Sequence, residues 1–340
     1  MQYWPLFFTG IVEAGILTWL CVKFFPQWGL LDYPERYGIK RSRLPYPGGL
    51  IFLFLTFAYF LLCQPSMSFL LGAILALGAV SLFDDRCPLP IWIRSLVHIG
   101  VALFVFYNGI AIEFIGNPFS GMGESFDLTQ IPYLSLILTV LWIIIIQNAL
   151  NWFDGIQGLS VGISGIGFLA LGIFGLVRQE VSWEQGLPEF LETSFYLSGI
   201  CLGAFLFFLR GRILLGDTGS QVLGFLLAVM SIFAGTKIAT TLLVLGLPIL
   251  DSIFVVFRRI FLEKKSPFEG DKKHLHHNLA HRAGEMQATM LLVLISALLA
   301  SIGIFLVGMV KIISLIVVAI FIFGLDWWAL GLKEGKREKN

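Results

Sequence analysis

The sequence predicts an all-α integral membrane protein, and three observations carry that expectation. Hydrophobic residues make up 57% of the 340 and charged residues only 13%, against roughly 45–50% and about 25% in soluble domains. Apolar runs long enough to cross about 30 Å of hydrocarbon as helices recur along the whole chain. Lysine and arginine, which mark the cytoplasmic side of a membrane, are crowded into alternate connections between those runs. The net charge of +1 gives no electrostatic case for nucleic acid or an acidic partner. Cys21, Cys63, Cys87 and Cys201 lie far apart without a C-x-x-C pair, so neither a disulfide framework nor a cysteine zinc site is suggested.

Eleven runs follow in order, near 5–24, 47–63, 67–83, 94–112, 132–148, 159–177, 194–209, 219–235, 238–257, 289–310 and 312–331. The first has no basic flank or small-residue cleavage site, so it is expected to be a retained helix and not a signal peptide. Residues 1–340 are expected to form a single polytopic domain with a basic, histidine-rich loop at 258–288 and a basic tail at 332–340. Every Lys and Arg except Arg178, Lys237 and Lys311 falls after an odd-numbered run or at its end. That asymmetry places the N-terminus outside and the C-terminus in the cytoplasm. The opposite loops are acidic or bland, and no internal repeat stands out.

Four polar clusters interrupt the apolar chain, and this topology puts all four on the inner face. Asp84 and Asp85 are adjacent carboxylates at the end of the third run. Such a pair is costly without a cation or basic partner, so it is either a divalent-metal or raised-pKa site, or a solvated helix end paired with Arg86. Asn148, Asn151 and Asp154 recur every third residue and share one helical face, with Gly155 and Gly158 following. They suit a base, a ribose or a metal, or else cap a helix before a glycine turn. Asp217 precedes Thr218, Gly219 and Ser220. It is either an N-cap or a carboxylate that holds Mg²⁺ against a phosphate at a helix N-terminus.

The fourth cluster, DKKHLHHNLAHR, carries His274, His276, His277 and His281 among Lys272, Lys273 and Arg282. It can bind zinc or phosphoryl oxygens. His277 and His281 have metalloprotease spacing without the accompanying glutamate, which favours phosphate. A solvated basic loop is the plain alternative. Asp251 lies within an apolar run, two turns before Arg258, and is a functional candidate or a structural partner of that arginine. Glu13, His98 and Asp326 also lie in apolar runs without an assigned role.

In this order and at these positions the clusters resemble the polyprenyl-phosphate N-acetylhexosamine-1-phosphate transferase superfamily. The resemblance spans roughly residues 30–285 and rests on FDD at 83–85, NALNWFDGIQGL at 148–159, GDTGS at 216–220, PILDS at 248–252 with RR at 258–259, and DKKHLHHNL at 271–279. It implies a Mg²⁺-dependent enzyme of the bacterial inner membrane that moves a sugar 1-phosphate from a UDP-sugar to polyprenyl phosphate and releases UMP, and it also implies a homodimer. By the same resemblance Asp217 is the metal ligand, and Asp84 and Asp85 serve the acceptor phosphate or the metal. Asn151 and Asp154 contact the nucleotide or diphosphate with Asn148 beside them. His276 and His277, with His274, hold diphosphate or sugar. An earlier segment matches through Asp32, Pro34, Arg36, Pro45, Gly48 and Gly49, with Lys40 as a phosphate contact where the family pattern has histidine. Gln157 stands where that pattern has a second aspartate. The competing class is a transporter or flippase, which would place polar groups near the bilayer midplane on broken helices.

Overall fold

The computed structural model describes residues 3–37, 41–116, 125–177, 187–233, 238–266, 273–306 and 308–337. Thirteen helices follow one another among them: α1 Trp4–Phe24, α2 Gly49–Leu62, α3 Leu70–Asp84, α4 Ile91–Tyr107, α5 Leu134–Trp152, α6 Leu159–Val177, α7 Leu187–Leu209, α8 Gly216–Phe233, α9 Ile238–Val244, α10 Gly246–Phe257, α11 Leu275–Ala283, α12 Glu285–Phe305 and α13 Gly308–Arg337. The only described strands are β1 Phe114–Gly116 and β2 Ser125–Asp127, an antiparallel pair.

Each of the eleven apolar runs falls on helix. The ninth is broken into α9 and α10 at Leu245, whose ψ of 21° leaves the helical range. Pro248 lies in the first turn of α10, where its missing N–H is tolerated and a fresh helix start suits it. Seven described helices are long and apolar enough to cross a bilayer (α1, α5, α6, α7, α8, α12 and α13), and α2, α3 and α4 are shorter apolar helices. Large apolar side chains stand on the outside, such as Leu62 at 75% and Ile320 at 67% exposure. Water would not tolerate so broad an apolar surface; hydrocarbon does. The protein is a multi-pass membrane protein.

α8 is the centre of the bundle: every residue from Thr218 to Ser231 is buried, with α5, α3, α2 and α6 packed around it. At the rim α1 lies tightly along α7 because glycines allow the backbones to meet. A Cβ on Gly199 would run into the Phe7 carbonyl, and one on Gly203 into that of Ile11, the small-residue device of membrane helix pairs. Glu13 in α1 accepts a hydrogen bond from the Tyr196 hydroxyl at 2.8 Å.

Helix ends of alternating polarity meet at one end of the bundle. The segment after α1 returns against the approach to α2, Asp32 N donating to Leu44 O and Tyr46 N to Leu30 O at 3.0 Å each. Gly48 N and Gly49 N donate to Leu214 O and Leu215 O in the α7–α8 turn, at 2.6 and 2.8 Å. The α3 C-terminus joins α8 through Asp85, and the Thr289 hydroxyl near the start of α12 donates to Gln157 O between α5 and α6 at 2.9 Å. The segment 258–288 is more than a loop: it holds a π-helical turn at Arg258–Leu262 and helix α11, which packs on α12 and α13.

Candidate active site

Asp85 organises the site by capping α8 from a different helix. Its carboxylate accepts from Asp217 N at 2.8 Å, Thr218 N at 3.2 Å, the Thr218 hydroxyl at 2.6 Å and the Tyr46 hydroxyl at 2.6 Å. The first N–H groups of a helix have no partner within it, and a carboxylate opposite them answers both those donors and the positive helix end. Burial pushes the Asp85 carboxyl above its ordinary range, opposed by the bonds from Thr218 and Tyr46. Gly216 opens α8 with φ of 79°, and a side chain there would press on Tyr46, Asp85 and Pro47. Only glycine serves at this joint.

Asp217 is thereby held at the edge of a cleft lined by Leu77, Val80, Ser81, Asp84, Arg94, Val97, His98, Asp217 and Gln221. The Asn151 amide donates to Asp217 Oδ1 at 3.0 Å and to the Ser220 hydroxyl at 2.9 Å. Arg94, from the first turn of α4, bonds Asp84 Oδ2 at 3.0 Å and lies 3.7 Å from Asp217 Oδ2. Asp84 also accepts from Leu89 N at 2.5 Å. Asp154 sits in the turn after α5; burial, then the negative charge of Asp217, raise its pKa well above the carboxylate range. Four carboxylates therefore share this corner with the Arg94 guanidinium. Their hard oxygen atoms and net negative charge fit a Mg²⁺ ion, which takes oxygen ligands.

The histidine segment closes the other side. A Cβ on Gly155 would collide with the rings of His276 and His277, so the absent side chain is what lets these imidazoles lie against the turn after α5. His276 is fully buried, its ring edge-on to Phe153 at 5.0 Å and 4.2 Å from that of His277. Burial, then the neighbouring His277 and His274, keep its pKa well below that of a free imidazole. His274 is 5% exposed and faces Asp251, whose Oδ2 lies 2.6 Å from His274 Nδ1 while Oδ1 accepts from Leu275 N at 2.9 Å.

The structure thus brings Asp84, Asp85, Asn151, Asp154, Asp217, His276 and His277 to one end of the bundle. Asn148 spends its amide on Ile144 O of its own helix at 2.8 Å, although it shares the Asn151 face. His281 is exposed, and Lys40 lies outside the described residues. Asp251 partners His274 rather than Arg258; Arg258 reaches Glu263 at 3.4 Å and the Lys273 carbonyl. Gln157 lies over Gly211, where a Cβ would meet its amide, and so abuts the Arg210–Arg212 turn. Sequence reading gave Arg94, Tyr46 and Gln221 no part in the site, and named Ser220 only as a member of the GDTGS cluster. Arg94 counted only as a topology marker, and its place in the first turn of a helix next to the paired aspartates was the available signal.

These features define a membrane enzyme with a carboxylate-lined polar centre at the helix ends. The family model described as glycosyl transferase family 4 matches residues 67–235. A probable undecaprenyl-phosphate N-acetylglucosaminyl 1-phosphate transferase of Bacillus subtilis is 30% identical over 285 residues, covering 80% of this chain and 76% of the relative. The undecaprenyl-phosphate alpha-N-acetylglucosaminyl 1-phosphate transferase of Yersinia pestis is 30% identical over 294 residues, covering 81% and 76%. The decaprenyl-phosphate N-acetylglucosaminephosphotransferase of Mycobacterium leprae is 32% identical over 294 residues, covering 77% and 72%. The chain belongs to glycosyl transferase family 4, within the polyprenyl-phosphate N-acetylhexosamine-1-phosphate transferase superfamily.

Proposed function

We propose that this protein transfers N-acetylhexosamine 1-phosphate from a UDP-sugar to polyprenyl phosphate, releasing UMP, at the cytoplasmic face of a bacterial inner membrane. The observation that carries the reading is the convergence of Asp84, Asp85, Asn151, Asp217 and Arg94 at one set of helix ends, the charged equipment that phosphoryl transfer needs. The relatives' names supply the sugar-phosphate donor and the polyprenyl acceptor; the uridine nucleotide and the cation are inferences from the site's chemistry and the motif resemblance.

Phosphoryl transfer is mostly positioning and charge neutralisation. Asp217 and Asp84 are the carboxylates placed to hold Mg²⁺. That ion supplies charge stabilisation to the phosphates being joined and parted. Asn151 fixes the Asp217 carboxylate, and Arg94 offers a cationic contact to the acceptor phosphate. Asp154, Gly155 and His277 bind the donor's diphosphate side. The acceptor phosphate, already an oxygen nucleophile, attacks the sugar-bearing phosphorus directly. Asp85 is ill suited to a covalent role, because its oxygens are engaged by four donors.

Purified protein given polyprenyl phosphate and a panel of UDP-sugars is expected to release UMP with UDP-N-acetylglucosamine or a close N-acetylhexosamine relative. UMP release independent of acceptor, or none with any UDP-sugar, would defeat the assignment. The alternation of helix ends at the site supports eleven crossings, with α9 and α10 as one, the N-terminus outside and the C-terminus inside. In a background without native cysteines, impermeant reagents are expected to label probes at Ser120 or Gln185 from outside and to spare one at Gly270. Labelling of Gly270→Cys in intact cells would invert the topology and separate the site from cytosolic nucleotide. A homodimer is part of the same proposal and would be read from the mass of the protein in detergent.

A further inference from the structure

His276, like Gln147, is a fully buried side chain whose polar atoms are all left without a hydrogen-bond partner among the described residues. Leaving a polar group buried and unpaired costs folding energy, so such a group commonly marks a ligand. Two further ligand-type residues sit beside it. Asp251 is 0% exposed and His274 5%, and one ligand atom from each of Asp251, His274 and His276 lies within 4.8 Å of the others. The rings of His274 and His276 stack at 5.4 Å with 20° between their planes.

We propose that Asp251, His274 and His276 form a binding site for a divalent transition-metal ion of the zinc class, separate from the carboxylate cleft. Two imidazole nitrogens and one carboxylate oxygen are the donor set of three-ligand zinc sites, with a fourth position left to water. Imidazole nitrogens suit zinc and its neighbours, whereas Mg²⁺ is held by oxygens. Ligation would require closing of the cluster, with His274 in the tautomer that carries its proton on Nε2 so that Nδ1 is free to donate to the metal. The three ligands come from α10 and from the first turn of α11 with its preceding residue, so the ion would staple these helices together. That staple would fix His277 beside Gly155, tying the histidine segment's position to metal binding. The plain alternative is that Asp251 merely caps α11 through Leu275 N and hydrogen-bonds His274.

Metal content of the full-length chain separates the two. Tag-free protein in detergent would be stripped with chelator, loaded with zinc, passed through gel filtration and measured by elemental analysis. About one zinc per chain is expected for the wild type and for His281→Ala, which removes an exposed imidazole, with affinity weakened about tenfold or more in Asp251→Asn and His276→Gln. Cobalt(II) in place of zinc is expected to give visible ligand-field absorption in the wild type that disappears in His276→Gln. Wild-type protein that retains no zinc after loading, or zinc retained equally by His276→Gln, would overturn the proposal and leave the capping bond as the cluster's whole role. If a variant fails to fold, as judged by thermal melting, the wild-type stoichiometry and cobalt spectrum decide the question alone.

Discussion

Asp217→Asn is expected to lower UMP release by about 10²–10³-fold, the scale on which one lost electrostatic contact to a reacting group is felt. The substitution exchanges one oxygen for nitrogen and leaves an oxygen able to accept the Asn151 amide bond, now 3.0 Å long. α8 is anchored by Asp85 and not by the Asp217 side chain, so melting temperature and extraction into detergent are expected to stay near wild type. Arg94 keeps its 3.0 Å bond to Asp84. What disappears is a negative charge where the acceptor, the donor diphosphate and Mg²⁺ would converge. Near-normal turnover at saturating Mg²⁺ would reduce Asp217 to an ordinary residue of the α8 N-terminus and move the metal site elsewhere.

Asp85→Ala is expected to damage the fold as well as the activity. It leaves two α8 N–H groups and the hydroxyls of Thr218 and Tyr46 without their acceptor. Each buried donor left unmade costs about 1–3 kcal/mol, and access to water at the helix ends recovers part, so a net loss of about 3 kcal/mol is expected. Asp85→Asn keeps one accepting oxygen and should fall between wild type and alanine in both melting temperature and UMP release. Asp84→Asn should cost activity with a smaller change in stability, since Asp84 is bound by one backbone N–H and Arg94. An Asp85→Ala protein as stable as wild type but inactive would make Asp85 a group that touches substrate rather than the post on which α8 turns.

Asp85 also shows where reading a linear sequence stops. Adjacent acidic residues at a helix end are visible as a costly feature needing a partner, and both the metal and Arg86 were reasonable partners on that information. The partner is instead the N-terminus of a helix that begins 131 residues later, at Gly216. Local pattern carries no record of such a pairing, because the donors are backbone groups that every residue possesses. Asn151 is similar. Its helical phase with Asp154 is legible, whereas its bond to Asp217 depends on α5 lying against α8. Asn148 shares that phase and yet turns back on its own helix.

The sequence alone determined that this protein lives in a bilayer and where its helices run, and it carries an expected sidedness for the loops. Hydrocarbon thickness sets the length of an apolar run, and basic residues orient the runs, so both are written one residue after another. Its motifs also determined the family. Tertiary structure alone decided which carboxylate caps, which faces the cleft and which histidines turn inward. Arg94 joined the site only because α4 starts beside α3. The break between α9 and α10 sat inside an apolar run without a charge to mark it. The Asp251–His274–His276 cluster depends on α11 docking where a solvated basic loop was the alternative reading. The physical reason is that helix formation and membrane partition follow from short-range composition, while the partner of a polar group is fixed by whichever distant helix end packing brings within about 3 Å.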